Sequence, residues 1–174
     1  MEEDALLQSE RLLLLPLTAD QLRLLCYEPQ ALEWALGIRY EGEPLEELLD
    51  ILAGQLPRME QDPENWLWDT FWLIVRREDA VCVGTIDFKA PPDAAGAVEI
   101  GYGLGEGHRG SGYMTEAART LCGWALARPE VTAVTAETLP ENRPSQNVLR
   151  RCGFVPAQQA GWWRLERPGG EAGA

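Results

Sequence analysis

The chain has a single histidine, His108. That excludes a metal site built from several imidazoles. Any Ser-His-Asp triad would have to turn on His108, and the nucleophile-elbow pattern GxSxG is missing around it. Cysteine is sparse as well. Cys26, Cys82, Cys122 and Cys152 are too widely spaced for a zinc or redox motif and read as buried thiols of a reduced compartment. No apolar run has membrane length, and no basic start leads into a secretory hydrophobic segment. A cytoplasmic protein without a membrane partner is the expectation. Positive charge is in short supply: 15 Lys+Arg face 28 Asp+Glu, a net charge of −13. That field repels phosphate backbones and sets nucleic acid aside as a partner. It would draw in amines and basic peptides, or serve solubility alone.

What is present fits one domain over residues 1–174, long enough to bury about two thirds of its unfolded surface. Residues 1–9 and 168–174 read as disordered tails. RLLLLPL, residues 11–17, predicts a strand. Thr18 and Gln21 form a capping-box pattern ahead of a helix with Leu22, Leu25 and Cys26 on one face. A second helix covers 29–36 and ends at Gly37. A third starts at Pro44, places Leu45, Leu48, Leu49, Leu52 and Leu56 on one side, and is expected to break at Pro57. Residues 71–76 and 81–88 predict an antiparallel hairpin, and 98–104 a further strand. The clearest helix is 113–128, with Met114, Ala117, Ala118, Leu121, Cys122 and Ala125 recurring at helical spacing. A strand at 131–137, a short helix at 145–151 stopped by Gly153, and closing strands near 154–155 and 162–166 complete the reading.

Gly105, Gly107, Gly110 and Gly112 lie between the strand at 98–104 and the helix at 113–128. A glycine-rich loop at such a junction lets backbone N–H groups turn toward one point. The helix start adds partial positive charge, worth roughly 0.3–1 kcal/mol per exposed anion contact. The arrangement suits a pyrophosphate. The Walker pattern fails, because Ser111 follows Gly110 and Tyr113 follows Gly112. The dinucleotide pattern GxGxxG is met by Gly105, Gly107 and Gly110, yet a hairpin and three helical segments precede it and little chain comes after it. A dinucleotide-binding oxidoreductase is therefore a weaker alternative.

Together, the loop HRGSGYMTEA and the later PENRPSQNVLRRCGF resemble the GNAT acetyltransferase superfamily, in particular its ribosomal-protein N-terminal acetyltransferase (Rim-type) branch. SERLLLLPLT is similar to that branch's first strand, and GTIDF and VEIGYGL fall where the family has its hairpin and cofactor strand. The family carries Gln or Arg three residues before the first of its paired small residues; here that slot is Gly107, and the basic residue is Arg109. The resemblance implies an α+β (mixed α/β) fold, with a central, mostly antiparallel splayed sheet flanked by helices. It implies acetyl-CoA as cosubstrate, with no metal, and a small-molecule or peptide amine as acceptor. It leaves a homodimer open. A CoA-binding module of the same fold without turnover is the alternative of another class.

By that resemblance the backbone of Arg109, Gly110, Ser111, Gly112 and Tyr113 takes the pyrophosphate. Tyr102, Gly103 and Leu104 pair with the pantetheine arm, and Asn142 hydrogen-bonds it. Glu99 is the candidate general base. Ser145 is either the helix N-cap or an acid near the thiol. Trp34, Tyr40, Trp66 and Trp68 could form an aromatic wall of the amine pocket, with Asp62, Glu64 and Asp69 supplying negative charge; Glu33 and Asp87 are further candidates there.

Overall fold

The computed structural model describes residues 5–169. Leu7 and Gln8, expected in a tail, form β1 (Leu7–Gln8) against β2 (Leu12–Pro16). Ala5 is buried and Ser9 bonds Glu116; residues 1–4 and 170–174 lie outside the described residues. β2 is an unbroken apolar run because both its faces are covered. Leu12 and Leu14 enter one core, while Leu13 and Leu15 pack against the other.

The capping box predicted at Thr18 opens α1 (Ala19–Tyr27): Thr18 Oγ1 accepts from the Gln21 N–H and Gln21 Oε1 from the Thr18 N–H. α2 (Pro29–Leu36) ends on Gly37 at φ 66°. α3 (Leu45–Gln61) departs from the sequence reading, because it continues through Pro57. A helix-interior proline removes the hydrogen bond to the residue four back, here the exposed Ala53. Beyond it Met59 is buried and Arg58 pairs with Asp69 at 3.1 Å, and these contacts hold the last turn in place. A short α4 (Trp66–Asp69) leads into β4 (Phe71–Arg76) and β5 (Val81–Phe88), the expected hairpin. Then come β6 (Ala97–Leu104), α5 (Tyr113–Leu126), β7 (Ala133–Glu137), α6 (Arg143–Arg151), β8 (Val155–Pro156) and β9 (Trp162–Glu166). A two-residue β3 (Arg39–Tyr40) lies parallel to β5.

The sheet order is β1-β2-β4-β5-β6-β7-β9-β8, antiparallel except for β6–β7 and β3–β5. This is the mixed, mostly antiparallel architecture that the sequence motifs implied. One face of the sheet packs on α5 and α6, around Trp68, Trp72, Phe88 and Trp124, whose ring centroids lie 4.7 to 5.8 Å apart. The other face packs on α1, α2 and α3 through Phe71, Leu73, Val75 and Cys82. Among the described residues no helix is long and apolar enough to cross a membrane.

Two departures from regular pairing shape the functional face of the sheet. First, β5 holds one residue more than β4 can match. Gly84 faces Ile74 and Cys82 faces Val75, leaving Val83 as the extra residue of a bulge. A bulge reverses the facing of all residues beyond it. Val81 and Val83 enter the α5-side core, but so do Ile86 and Phe88, and Thr85 and Asp87 are turned to the α3 side. Second, β6 and β7 pair only from Ala97 to Glu99, against Ala133 to Thr135. Beyond Glu99, β6 stays with β5 alone, so the sheet parts there.

Gly84 is what allows β5 and β6 to close up at the bulge, since a Cβ there would fall 2.2 Å from the Gly103 carbonyl oxygen. Backbone on both sides cannot move aside. Gly84→Ala is expected to cost about 1–3 kcal/mol, read as a fall in melting temperature of roughly 3–10 °C.

Candidate active site

The loop before α5 is built around two left-handed glycines. Gly110 has φ 83° and Gly112, the N-cap of α5, has φ 80°. Gly112 has no side chain to cap the helix, and no side-chain cap bond is made. The first-turn N–H groups of a helix have no intrahelical partner. Here they are left for an anion at the positive end of the helix dipole. Thr115, in the same turn, keeps its Oγ1 buried and without a hydrogen-bond partner.

Residues that sequence reasoning passed over hold this loop in place. Arg11 donates to the Ser111 carbonyl at 2.8 Å, pairs with Glu116 at 2.7 Å and lies 4.6 Å over the Tyr113 ring. Arg76 donates to the Tyr113 hydroxyl. Burial works against the Glu116 carboxylate, but donors from Arg11 and Ser9 outweigh it and hold its pKa below the ordinary value. A cavity of about 470 Å³ adjoins this helix start, lined in part by Arg11, Gly112, Thr115, Arg119 and Arg151. Glu10 and Glu116 line it too, with Glu116 paired to Arg11, so Arg119, Arg151 and the open helix start are what fit the diphosphate expected there. Arg109 is exposed and does not line this cavity.

Across the parted strands, Tyr102 of β6 reaches α6. Its hydroxyl lies 2.7 Å from Ser145 Oγ. Burial raises the Tyr102 pKa to about 12, against the pull of the Ser145 bond, so the phenol stays protonated. Ser145 is not the N-cap of its helix. α6 starts two residues earlier than predicted, and its N-cap is Asn142, whose Oδ1 accepts from the Ser145 N–H at 3.2 Å. The Ser145 hydroxyl is thereby left to the strand gap. Asn142, given by the resemblance as a partner of the pantetheine arm, spends its side-chain Oδ1 on this cap.

The α3 face of β5 and β6 forms a ladder of facing pairs: Thr85 with Gly103, Asp87 with Gly101, and Lys89 beside Glu99. Glu43 leans over the first, accepting from the Thr85 N–H at 3.1 Å and hydroxyl at 2.9 Å. At the third, Lys89 Nζ meets Glu99 Oε1 at 2.8 Å. In the middle lies Asp87, 7% exposed, with Gln55 Nε2 of α3 donating to its Oδ2 at 3.1 Å. A cavity of about 510 Å³ opens over these pairs, lined among others by Glu43, Asp50, Gln55, Arg58, Asp87, Gly101 and Tyr102. The glycines make room for it. A Cβ at Gly101 would stand 3.1 Å from Asp87 Oδ1, and one at Gly103 2.6 Å from Glu43 Oε2. Burial raises the Asp87 pKa to about 7, against the opposing pull of Lys89 and Gln55. Burial raises that of Glu43 too.

The four aromatics expected to wall an amine pocket do not line this cavity. Trp68 is 5% exposed and stacks on Phe88 and Trp124 in the α5-side core, because α4 turns its indole inward. Trp34 projects from α2 and is 90% exposed. Trp66 and Tyr40 pack against the α1–α3 core, and the Tyr40 hydroxyl donates to the Glu43 carbonyl. Glu33 accepts from the Tyr40 N–H, and Asp69 is buried against Arg58. Asp62 and Glu64 are exposed. Of the predicted substrate residues, Asp87 alone lines the cavity. Gln55 was missed because a glutamine on a leucine-rich helix face carries no sequence signal.

The family described as the acetyltransferase (GNAT) domain matches residues 11–155. Among curated proteins, the uncharacterized N-acetyltransferase YjdG of Bacillus subtilis is 39% identical over 84 residues, 48% of this chain and 50% of that protein. The chain spans about half the length of the curated relatives it matches. Among solved structures, ribosomal-protein-S5-alanine acetyltransferase from Vibrio fischeri superposes with a TM-score of 0.65 at 16% identity, covering 94% of this chain and 97% of that one. RimL, the ribosomal L7/L12 alpha-N-protein acetyltransferase in complex with coenzyme A, gives 0.63 at 17% identity, covering 92% and 97%. At these identities the structural likeness is one of fold.

A carboxyl whose folded-state pKa is raised holds its proton more tightly folded than unfolded. Its stabilising contribution is complete below the unfolded pKa and is lost as pH rises through the folded value. For Asp87 that window runs from about 4 to about 7. Asp87→Asn is expected to raise the melting temperature at pH 8 by roughly 5–10 °C more than at pH 5. Calorimetry at the two pH values checks it; equal gains would mean that Asp87 is not desolvated.

Proposed function

The chain belongs to the acetyltransferase (GNAT) family, and on that premise we propose that it transfers an acetyl group from acetyl-CoA to a primary amine. The observation that carries the reading is the parting of β6 from β7 after Glu99, with the uncapped start of α5 at one side and an acidic cavity on the other. That gives a cofactor an entrance on the α5 side and an acceptor an entrance on the α3 side.

When bound, acetyl-CoA supplies an acyl group already activated as a thioester. The chain's own residues do the rest. Main-chain donors of 109–113 and the first turn of α5 hold the diphosphate, with Arg119 and Arg151 nearby. The β6 edge at residues 102–104, which has no β7 partner, offers amide groups to the pantetheine arm and a donor to the thioester carbonyl. The linked hydroxyls of Ser145 and Tyr102 stand in the gap, where a departing thiolate needs a proton or a hydrogen bond.

Charge decides the acceptor class. Between Glu28 and Asp69 the basic residues are Arg39 and Arg58, against a crowd of carboxylates. A cationic amine is favoured on that side, and the α-amine of a peptide suits it best. The Vibrio fischeri enzyme and RimL, both of this fold, are named for ribosomal-protein acetylation. At pH 7 an α-amine is roughly 10% neutral, while a lysine amine is neutral in about one molecule in 2,500.

Acetyl-CoA is expected to raise the melting temperature, and the protein to release thiol from it with an amine present. A thermal shift without thiol release for any amine tried would leave a CoA-binding module of the same fold. Ser111→Glu places a carboxylate against the diphosphate and is expected to weaken acetyl-CoA at least tenfold, about 1.4 kcal/mol, measured as a raised KM and a smaller thermal shift.

A further inference from the structure

Resting on the acetyltransferase reading, we propose that Asp87 and Gln55 form the seat of the acceptor ammonium and that Asp87, rather than Glu99, takes its proton. Three observations carry it. Gln55 is 2% exposed and lines the cavity, yet its Oε1 has no hydrogen-bond partner. Its amide nitrogen is committed to Asp87 Oδ2, so the orphaned oxygen needs a donor that the protein does not supply. An ammonium carries three donors. Asp87 Oδ1 lies over Gly101, on the part of β6 that has left β7 and where the acyl group is to be placed. Glu99 sits one pair back, on the portion still paired with β7, and Lys89 already neutralises it.

The charged groups around Asp87 come from every element packed on it. Lys89 is next but one on its own chain, Glu43 leads into α3, Asp50 and Arg58 stand on α3, and Glu99 lies on β6. Burial outweighs the two cations and leaves the carboxyl near neutrality in its proton affinity. That suits a base, which must both accept a proton and release it within each turnover.

Atoms and protons balance across the step. One ammonium proton passes to Asp87. The freed nitrogen lone pair forms the C–N bond to the acetyl carbonyl carbon, and the C–S bond breaks. A second nitrogen proton leaves with the coenzyme A thiol, and Asp87 returns its proton to solvent. Gln55 holds Asp87 through its amide nitrogen and is a positioning residue for it.

The test measures thiol release from acetyl-CoA with four amine probes: a peptide with N-terminal serine, one with N-terminal alanine, spermidine and lysine. For the best probe, Asp87→Asn is expected to lower kcat/KM by roughly 10²–10³-fold and to abolish the acidic limb of its pH profile near pH 7. The acetyl-CoA thermal shift stays as in the parent. Gln55→Leu is expected to raise the KM for the amine more than it lowers kcat. Glu99→Gln keeps the acidic limb. Should Asp87→Asn fail to fold, Asp87→Ser carries the same expectation. The proposal is overturned if the Asp87 variants retain the limb and kcat/KM within about threefold, if Glu99→Gln loses the limb, or if no probe releases thiol while acetyl-CoA binds. Failure of acetyl-CoA to bind at all would instead remove the acetyltransferase reading itself.

Discussion

Val83 has no partner on β4, and the active face depends on that surplus. In an unbroken strand Val81, Val83, Thr85 and Asp87 would point one way, into the core beneath α5. There the last two would bring a hydroxyl and a carboxyl among Trp68, Trp72 and Leu121. The bulge turns them to the α3 side and gives Ile86 and Phe88 to the core in exchange. Gly84 then lets β6 close against the bulged segment, and Gly101 and Gly103 keep the surface above Asp87 and beneath Glu43 open. Four neighbouring backbone choices thus decide whether one carboxyl is a packing error or part of a cavity wall.

The net charge of −13 is not spread evenly. Carboxylates dominate from Glu28 to Asp69, the stretch that supplies α2, α3 and the acceptor side of the cavity. Arg11, Arg119, Arg150 and Arg151 gather around α5 and α6. On the proposed reading, an acidic protein would hold a polyanionic cosubstrate on one side while drawing a cation from the other. The parted strands are the passage between the two fields, and the Tyr102–Ser145 contact crosses that passage. A bond between two hydroxyls is suited to this position, because either can turn to a new partner without leaving an ion behind.

Much of the fold was legible because its signals were local. The Thr18 capping box, the Gly37 stop, the hairpin around residues 77–80 and the glycine loop each announce themselves within a few residues. Pro57 misled because the forces that carry α3 through it, the burial of Met59 and the Arg58–Asp69 pair, involve tertiary contacts. Asn142 was legible as a motif residue but not as a cap, since Asn and Ser both cap well and lie three apart. Within the candidate site, the loop could be read and the acceptor pocket could not. A strand's period-2 pattern places Asp87 with the valines, and a bulge leaves no mark in the sequence except Gly84. Gln55 and Asp87 are 32 residues apart and meet only through the α3-to-β5 packing.

The pocket is costly to build. Asp87 and Glu43 lose water, and Gln55 keeps an unpaired oxygen. The leucine-lined core of α1 and α3 against Phe71 and Leu73 is what tolerates this. On the proposed reading, an ammonium seated at Asp87 would offset the loss of water at that carboxyl. The same balance sorts amines. Asp87 near pH 7 can take a proton from an α-ammonium of pKa ~7.7–8 across a gap of about one unit, close to 1.4 kcal/mol. From a lysine ammonium at ~10.4 the gap exceeds three units, more than about 4 kcal/mol. If Asp87 is the base, as proposed, the energy of that transfer, more than the shape of the cavity, would separate a peptide N-terminus from a lysine side chain.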